Sequence, residues 1–150
     1  DLARPRMVIL VPCLNEAKVI VASVGKLLEI PYPEVYILVI DDGSEDGTAD
    51  LVDSIGDPRV HVMRRVPPNA RKGKGEALNN ALAVVRERFS VCDPNSVVIG
   101  VVDADGRLDP HAIAEARRAF APAEVPIGVV TGLVGAPWLV LLGRRQGHSL

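Results

Sequence analysis

Short runs of β-branched and aliphatic residues recur along the chain, and each run is bounded by polar residues or proline. The runs lie at residues 7–11, 35–40 and 97–102, with a shorter one at residues 59–63. Apolar runs of this length are typical of strands that are buried on both faces of a parallel sheet. We therefore expect three central strands and one further strand in these segments.

Segments with helical periodicity separate these runs. Residues 16–30, 47–55 and 75–89 repeat apolar side chains every three to four positions, which places them on one face of a helix. Asp109 followed by Pro110 predicts a further helix that extends to about residue 120, because Asp is a frequent N-cap and Pro favours the first helical position. The alternation of strand and helix predicts an α/β fold, namely an open, mostly parallel, doubly wound sheet with helices on both faces.

The last part of the chain permits two interpretations. Residues 125–143 lack charged side chains and precede Arg144 and Arg145, a pattern that would also suit a membrane-spanning helix. Prolines and glycines interrupt the segment, so we expect a strand at residues 127–131 instead. We divide the chain into an N-terminal extension (1–6), one domain (7–131) and an atypical tail (132–150).

Composition narrows the function classes. The 150 residues carry a formal net charge of -2 and include 3% aromatic residues, so the chain has neither the basic surface nor the stacking platforms typical of nucleic-acid binding. Cys13 and Cys92 are far apart in sequence and match no metal-binding spacing. We expect both to be buried thiols in a cytoplasmic protein, because reducing compartments keep such thiols free.

Polar clusters follow the predicted strands. The first strand leads into residues 12–16, the second into residues 41–44 and the last into residues 103–106, while the basic residues 71–75 precede a helix. In open α/β sheets, ligands bind beyond the carboxyl ends of the strands. We therefore expect these clusters to meet in one site.

Three aspartates in these clusters predict a metal ion. Two carboxylates about 4 Å apart repel each other by roughly 4 kcal/mol at an effective dielectric constant of about 20, so bringing Asp42, Asp103 and Asp105 together needs a cation. Mg²⁺ or Mn²⁺ would satisfy them and would leave coordination positions for phosphate oxygens. Lys72 or Lys74 could neutralise the remaining phosphate charge. Together these residues predict a nucleoside diphosphate site.

Taken singly, each cluster has a structural explanation. Residues 41–44 could cap the following helix, residues 103–106 could form a turn, and residues 71–74 could be a solvated loop. Asn15 is in any case expected to be a helix N-cap. Only the coincidence of the clusters at one sheet edge favours a binding site.

Four segments of the chain resemble motifs of the family 2 glycosyltransferases, in that family's order and on the expected elements. They are VPCLNE (11–16), VIDDGSEDGT (39–48), KGKGEALN (72–79) and DADG (103–106). Each segment is weak evidence alone, whereas four in order are strong evidence. The resemblance covers residues 7–131 and implies the GT-A fold, a Rossmann-like nucleotide-sugar-binding domain.

The resemblance implies a role for each candidate residue. Asp42 would accept a hydrogen bond from the base of the donor, usually uracil. Asp105 would bind the metal, Mg²⁺ or Mn²⁺, while Asp103 would lie nearer the ribose or a metal-bound water and could share the metal. The remaining nucleotide-sugar-binding residues would be Pro12, Asn15, Glu16, Lys72 and Lys74.

The implied reaction is transfer of a sugar, with inversion, from a nucleoside diphosphate donor to an acceptor hydroxyl. The donor would be a UDP-sugar, and the acceptor a glycan, lipid or protein. The family places its carboxylate base well after residues 103–106, but residues 107–150 contain no convincing candidate. We therefore expect the donor-binding half of a larger enzyme, which would bind donor without transferring sugar and whose further segments could associate with the cytosolic face of a membrane.

Two alternatives stay open. The chain could bind a nucleotide sugar without catalysing transfer. Residues 103–106 could instead supply the nucleophile and acid of a haloacid dehalogenase-like phosphatase, although that class carries its motif on the first strand and follows it with Thr or Val rather than Arg107.

Overall fold

A computed structural model of the protein describes residues 6–92 and 97–104. Strands and helices alternate in this part of the chain, as the sequence predicts. The elements are β1 (Arg6–Cys13), α1 (Ile20–Leu28), β2 (Val35–Asp41), α2 (Thr48–Asp53), β3 (Val60–Arg64), α3 (Lys74–Arg88) and β4 (Val97–Val101). The helix expected at 109–120, the strand expected at 127–131 and the apolar segment 125–143 lie outside the described residues.

The four strands form one parallel sheet in the order β3-β2-β1-β4. Ile9 of β1 lies beside Ile37 of β2 on one side and Gly100 of β4 on the other. The chain therefore proceeds outward from β1 to β3 and then returns through α3 to the opposite side of β1. This reversal is the defining feature of a doubly wound sheet, and it confirms the predicted fold class.

Apolar side chains cover both faces of the sheet, which is why the strand sequences show continuous apolar runs. On one face, Ile37 and Val39 pack with Val24 of α1 and Val52 of α2. On the opposite face, the strands pack against α3 in a separate cluster of buried residues that consists of Val8, Leu10, Leu38, Ile40, Ala77, Ala81, Val85 and Val101. The two clusters fix the sheet between two helical layers.

Helix α1 begins at Ile20, four residues later than its periodicity predicts. The backbone N–H groups of Glu16 and Ala17 donate instead to Thr48 Oγ1 and Asp46 Oδ2, each at 3.0 Å. These long-range bonds hold residues 16–19 in a turn. In α2, Leu51 is exposed whereas Val52 is buried, because consecutive helical residues point about 100° apart.

The fold corrects one prediction about a single side chain. Cys13 is buried as expected, but Cys92 is only half-buried. His61 of β3 is half-buried, and its ring stacks on Tyr36 with the centroids 4.3 Å apart. Among the helices of residues 6–92 and 97–104, none has the length and hydropathy needed to cross a bilayer.

The packing of the central strand gives a stability prediction. Ile37 is 0% exposed between β1 and β3, so Ile37→Ala should lower the free energy of unfolding by about 2–5 kcal/mol through lost burial and the cavity left behind. Val21→Ala, at a position of α1 that is 45% exposed, should change it by less than about 0.5 kcal/mol. Urea denaturation of the full chain measures both, and similar losses in the two variants would contradict this assignment of the core.

Candidate functional site

A cleft opens where the strand order reverses, between the carboxyl ends of β1 and β4. Its volume is about 380 Å³, and the beginning of α3 forms one side. Ligands of doubly wound sheets bind at this kind of crevice. The described residues that line it are Pro12, Cys13, Leu14, Glu16, Asp42, Arg71, Gly73, Lys74, Ala77, Asp103 and Ala104.

Asp42, which follows β2, is held by two donors on one of its oxygens. Its Oδ1 accepts a hydrogen bond from Arg65 Nη1 at 2.5 Å and another from the backbone N–H of Arg71 at 3.0 Å. The side chain of Asp42 is 14% exposed and that of Arg65 is 4% exposed. The pair therefore forms a largely desolvated ion pair at the wall of the cleft.

Arg65 joins Asp42 to two other parts of the chain. Its Nη2 donates to the carbonyl oxygen of Asn69 at 2.6 Å and to Glu76 Oε1, in the first turn of α3, at 3.1 Å. Its Nε is the buried side-chain nitrogen without a partner among the described residues. The sequence analysis did not select Arg65, although its position immediately after β3, at the same sheet edge as the other polar clusters, was a usable indication.

Arg71 is a second cleft residue, and the sequence analysis placed it in the basic cluster 71–75 without giving it a role of its own. Its backbone is left-handed, with φ 62, and its side chain donates to the carbonyl oxygen of Gly43 at 2.8 Å. Gly43 has φ 91, and a Cβ there would lie 3.0 Å from the Cβ of Ala70. Only glycine allows the two loops to approach this closely.

Lys74 and Asp103 face each other across the cleft and form an ion pair. The side chain of Asp103 is 33% exposed, and that of Lys74 is 53% exposed, so both remain accessible to a ligand. Each cleft aspartate thus has a cationic partner from the chain itself, namely Arg65 for Asp42 and Lys74 for Asp103. The positive charge that the sequence analysis required is provided in part by these side chains.

Among the described residues, Asp103 could supply one ligand to a divalent cation. Asp103 offers hard carboxylate oxygens at the cleft, and its present partner is a cation. Within residues 6–92 and 97–104, no three potential ligands form a metal-binding group. Asp105, the other predicted ligand, lies outside the described residues.

Asn15 joins the loop after β1 to the loop after β2. Its backbone N–H donates to Ser44 Oγ, and its side-chain Oδ1 accepts from the N–H of Glu45, both at 2.9 Å. The expectation that Asn15 is a helix N-cap is therefore wrong, since the N-cap of α1 is Val19. The left-handed φ of 53, which Asn tolerates better than most residues, turns this side chain toward the neighbouring loop.

Thr48 and Asp46 complete this connection, which we call the two-loop clasp (Asn15, Ser44, Asp46 and Thr48). Thr48 Oγ1 accepts from the N–H of Glu16 and donates to Asp46 Oδ1 at 2.5 Å. That hydrogen bond is the main reason that the pKa of Asp46 lies below its usual value. The idea that residues 41–44 cap α2 is wrong, because α2 begins at Thr48 and Ser44 N–H bonds back to Asp41 Oδ1.

The structure brings together most of the predicted site residues. Those that line the cleft are Pro12, Glu16, Asp42, Lys74 and Asp103. Asn15 belongs to the two-loop clasp, and Lys72 is exposed outside the described lining of the cleft. Participation of these residues in ligand binding stays a prediction.

The sequence comparison decides the family. The model of the family described as glycosyl transferase family 2 matches residues 8–132. The chain belongs to this family. The motif resemblance is thereby confirmed, and glycosyl transfer is supported over the phosphatase alternative.

Individual relatives agree with the family assignment. The chain is 35% identical over 153 residues to a polyprenol monophosphomannose synthase of Mycolicibacterium smegmatis, a match that covers 96% of this chain and 54% of the relative. It is 32% identical over 113 residues to the probable glycosyltransferase YdaM of Bacillus subtilis, covering 73% of this chain and 25% of the relative. The chain thus spans between about a quarter and about half of these proteins.

Solved structures confirm the GT-A fold. The mannosyltransferase PcManGT from Pyrobaculum calidifontis, solved in complex with GDP-Man and Mn²⁺, superposes with a TM-score of 0.66 at 27% identity. The match covers 88% of this chain and 36% of that enzyme. TarS of S. aureus, at 22% identity and a TM-score of 0.58, shares the fold.

The two-loop clasp gives a second stability prediction. Thr48→Val keeps the shape of a side chain that is 0% exposed but removes the acceptor for Glu16 N–H and the donor to Asp46. We expect the free energy of unfolding to fall by about 1–2 kcal/mol, because the half-buried N–H of Glu16 loses its acceptor and Asp46 loses a donor. Ser54→Ala, which loses one exposed hydrogen bond to Leu51 at the C-terminal end of α2, is the control and should cost less than about 0.5 kcal/mol. Equal effects in urea denaturation would show that the clasp contributes nothing specific.

The thiol at the cleft wall gives a reactivity prediction. Burial, assisted by the carboxylates of Asp41 and Glu16, raises the pKa of Cys13 to about 12. Because the thiolate is the reactive form, iodoacetamide at pH 8 should modify the half-buried Cys92 and spare Cys13 in the folded chain. Mass spectrometry of the alkylated peptides measures this, with urea-unfolded chain as the control in which both react. Alkylation of Cys13 as fast as Cys92 in the folded chain would contradict it.

Proposed function

We propose that the protein binds a nucleoside diphosphate sugar, preferably a UDP-sugar, in this cleft and contributes to transfer of the sugar to an acceptor with inversion. The observation that carries the proposal is the placement of Asp42 at one part of a single cleft and of the Lys74–Asp103 pair at another. Membership of glycosyl transferase family 2 supports the reaction class.

Asp42 suits the base end of the donor. Its carboxylate is oriented by Arg65 and by the backbone of Arg71, and it lines the cleft. A carboxylate that is fixed in this way can accept a hydrogen bond from an N–H of a nucleobase without losing freedom at the moment of binding. The GDP-Man of the related mannosyltransferase supports a nucleoside diphosphate sugar as the donor class.

Lys74 and Asp103 suit the diphosphate end. A phosphate entering the cleft would compete with Asp103 for Lys74, and Asp103 would then be released to a divalent cation. We assign the cation to Asp103 together with Asp105, and either Mg²⁺ or Mn²⁺ would stabilise the charge of the departing diphosphate when bound. Mn²⁺ in the related mannosyltransferase structure supports this assignment.

The acceptor end must include a base that removes a proton as the acceptor oxygen attacks the sugar carbon. We assign this role to none of the described cleft residues and expect another part of the enzyme to supply the base. The name of the Mycolicibacterium smegmatis relative refers to a polyprenol, which supports a lipid as the acceptor class. A lipid acceptor would place the reaction at a membrane surface.

Metal-dependent nucleotide binding tests the proposal. UDP should bind the full chain at least tenfold more tightly with Mn²⁺ than without, since loss of a charged contact of about 1.5–3 kcal/mol corresponds to a change of roughly that size or more. Asp103→Asn and Asp105→Asn should abolish the Mn²⁺ effect. Without metal, Asp103→Asn should bind UDP at least as well as the wild type, because Lys74 no longer has a carboxylate partner.

Titration calorimetry with and without Mn²⁺ measures these affinities. Asp50→Asn is the matched control, because this aspartate pairs with Arg64 on the surface and is 78% exposed. It should behave as the wild type under both conditions. UDP affinity that is independent of Mn²⁺ in all four proteins would contradict the proposed metal assistance, and absence of any nucleotide binding would contradict the proposed function itself.

A further inference from the structure

Arg65 and Arg64 are consecutive residues with opposite environments. Arg64 pairs with Asp50 and Asp53 on the surface and is 47% exposed, whereas the Arg65 side chain is 4% exposed. Burying a guanidinium is costly unless its donors are paired. The carboxylate partners of this buried arginine, Asp42 after β2 and Glu76 in α3, therefore indicate a specific role at the cleft.

Arg65 occupies one carboxylate oxygen of Asp42 and leaves the other oxygen available. Oδ1 accepts from Arg65 Nη1 and from Arg71 N–H, which uses the two lone pairs available on that atom. Among the described residues, both side-chain hydrogen bonds of Asp42 are accepted by Oδ1 and neither by Oδ2. Because Asp42 lines the cleft, Oδ2 is the acceptor that it offers to a ligand.

We propose that Arg65 is a positioning residue that sets the base preference of the site, by making Asp42 present a single oxygen to the nucleobase. Uracil has one ring N–H between two carbonyl groups, and one oxygen satisfies it. Guanine has a ring N–H and an adjacent amino group, and the two together need two acceptors. A single oxygen therefore favours uracil over guanine, because an unpaired donor in the cleft loses its hydrogen bond to water. This inference rests on the proposed function.

A series of nucleotides tests the inference on the unaltered full chain in the presence of Mn²⁺. UDP should bind at least tenfold more tightly than GDP, and 3-methyluridine diphosphate, whose ring N–H is replaced by a methyl group, should lose at least tenfold relative to UDP. Inosine diphosphate, which lacks the amino group of guanine, should bind at least as well as GDP. GDP that binds more tightly than both UDP and inosine diphosphate would overturn the inference.

A pair of neighbouring variants tests the role of Arg65 itself. Lysine cannot reproduce the fork that reaches Asp42, Asn69 and Glu76 at once, so Arg65→Lys should free the carboxylate of Asp42 to rotate. We expect UDP affinity to fall about tenfold while GDP affinity changes little, which moves their ratio toward one. Arg64→Lys is the matched control and should change neither affinity.

The ratio of the two affinities separates positioning from a purely structural role. General loosening of the fold would lower UDP and GDP affinity by the same factor, so a ratio that Arg65→Lys leaves unchanged would overturn the inference. If thermal melting shows that Arg65→Lys does not fold, the nucleotide series on the unaltered chain decides. Equal affinity of the unaltered chain for UDP and GDP overturns this inference alone, whereas binding of neither overturns the proposed function as well.

Discussion

The desolvated ion pair between Arg65 and Asp42 is the constraint on which the arrangement of the cleft depends. Removing one partner of a buried pair leaves an uncompensated charge, at a cost of about 3–5 kcal/mol. Arg65 also contacts Asn69 and Glu76, so the same requirement fixes the loop before α3 and the first turn of that helix. The loop that carries Arg71 and the helix that carries Lys74 are therefore placed relative to Asp42 by one guanidinium.

The residues of the motif at 39–48 have two different roles in this geometry. Asp42 faces the cleft, whereas Ser44, Asp46 and Thr48 turn away from it and hold the loop after β1. Glu16 stays at the cleft because its backbone N–H is bonded to Thr48. A motif that resembles a ligand-binding signature thus consists partly of ligand-facing residues and partly of residues that fix the adjacent loop.

The cleft combines charges that would repel each other if they were not paired. Asp42 and Asp103 both line it, and each is neutralised by a cationic side chain from an element that follows β2 in the chain. The two pairs differ in accessibility, since Arg65 is buried and Lys74 is half exposed. The first pair can therefore act as a fixed support, while the second can be exchanged for a phosphate and a cation.

The sequence by itself determined the strands, the doubly wound fold class, the family and the sheet edge at which the polar clusters meet. These features follow from local apolar runs, from helical periodicity and from short motifs, all of which can be identified in consecutive residues. The tertiary structure decided the start of α1, the role of Asn15 and the importance of Arg65. Each of these depends on a hydrogen bond between residues that are 23 to 32 positions apart, such as Arg65 with Asp42 and Glu16 with Thr48. The packing of the loops determines which residues become partners, and the periodicity of the sequence does not contain that information.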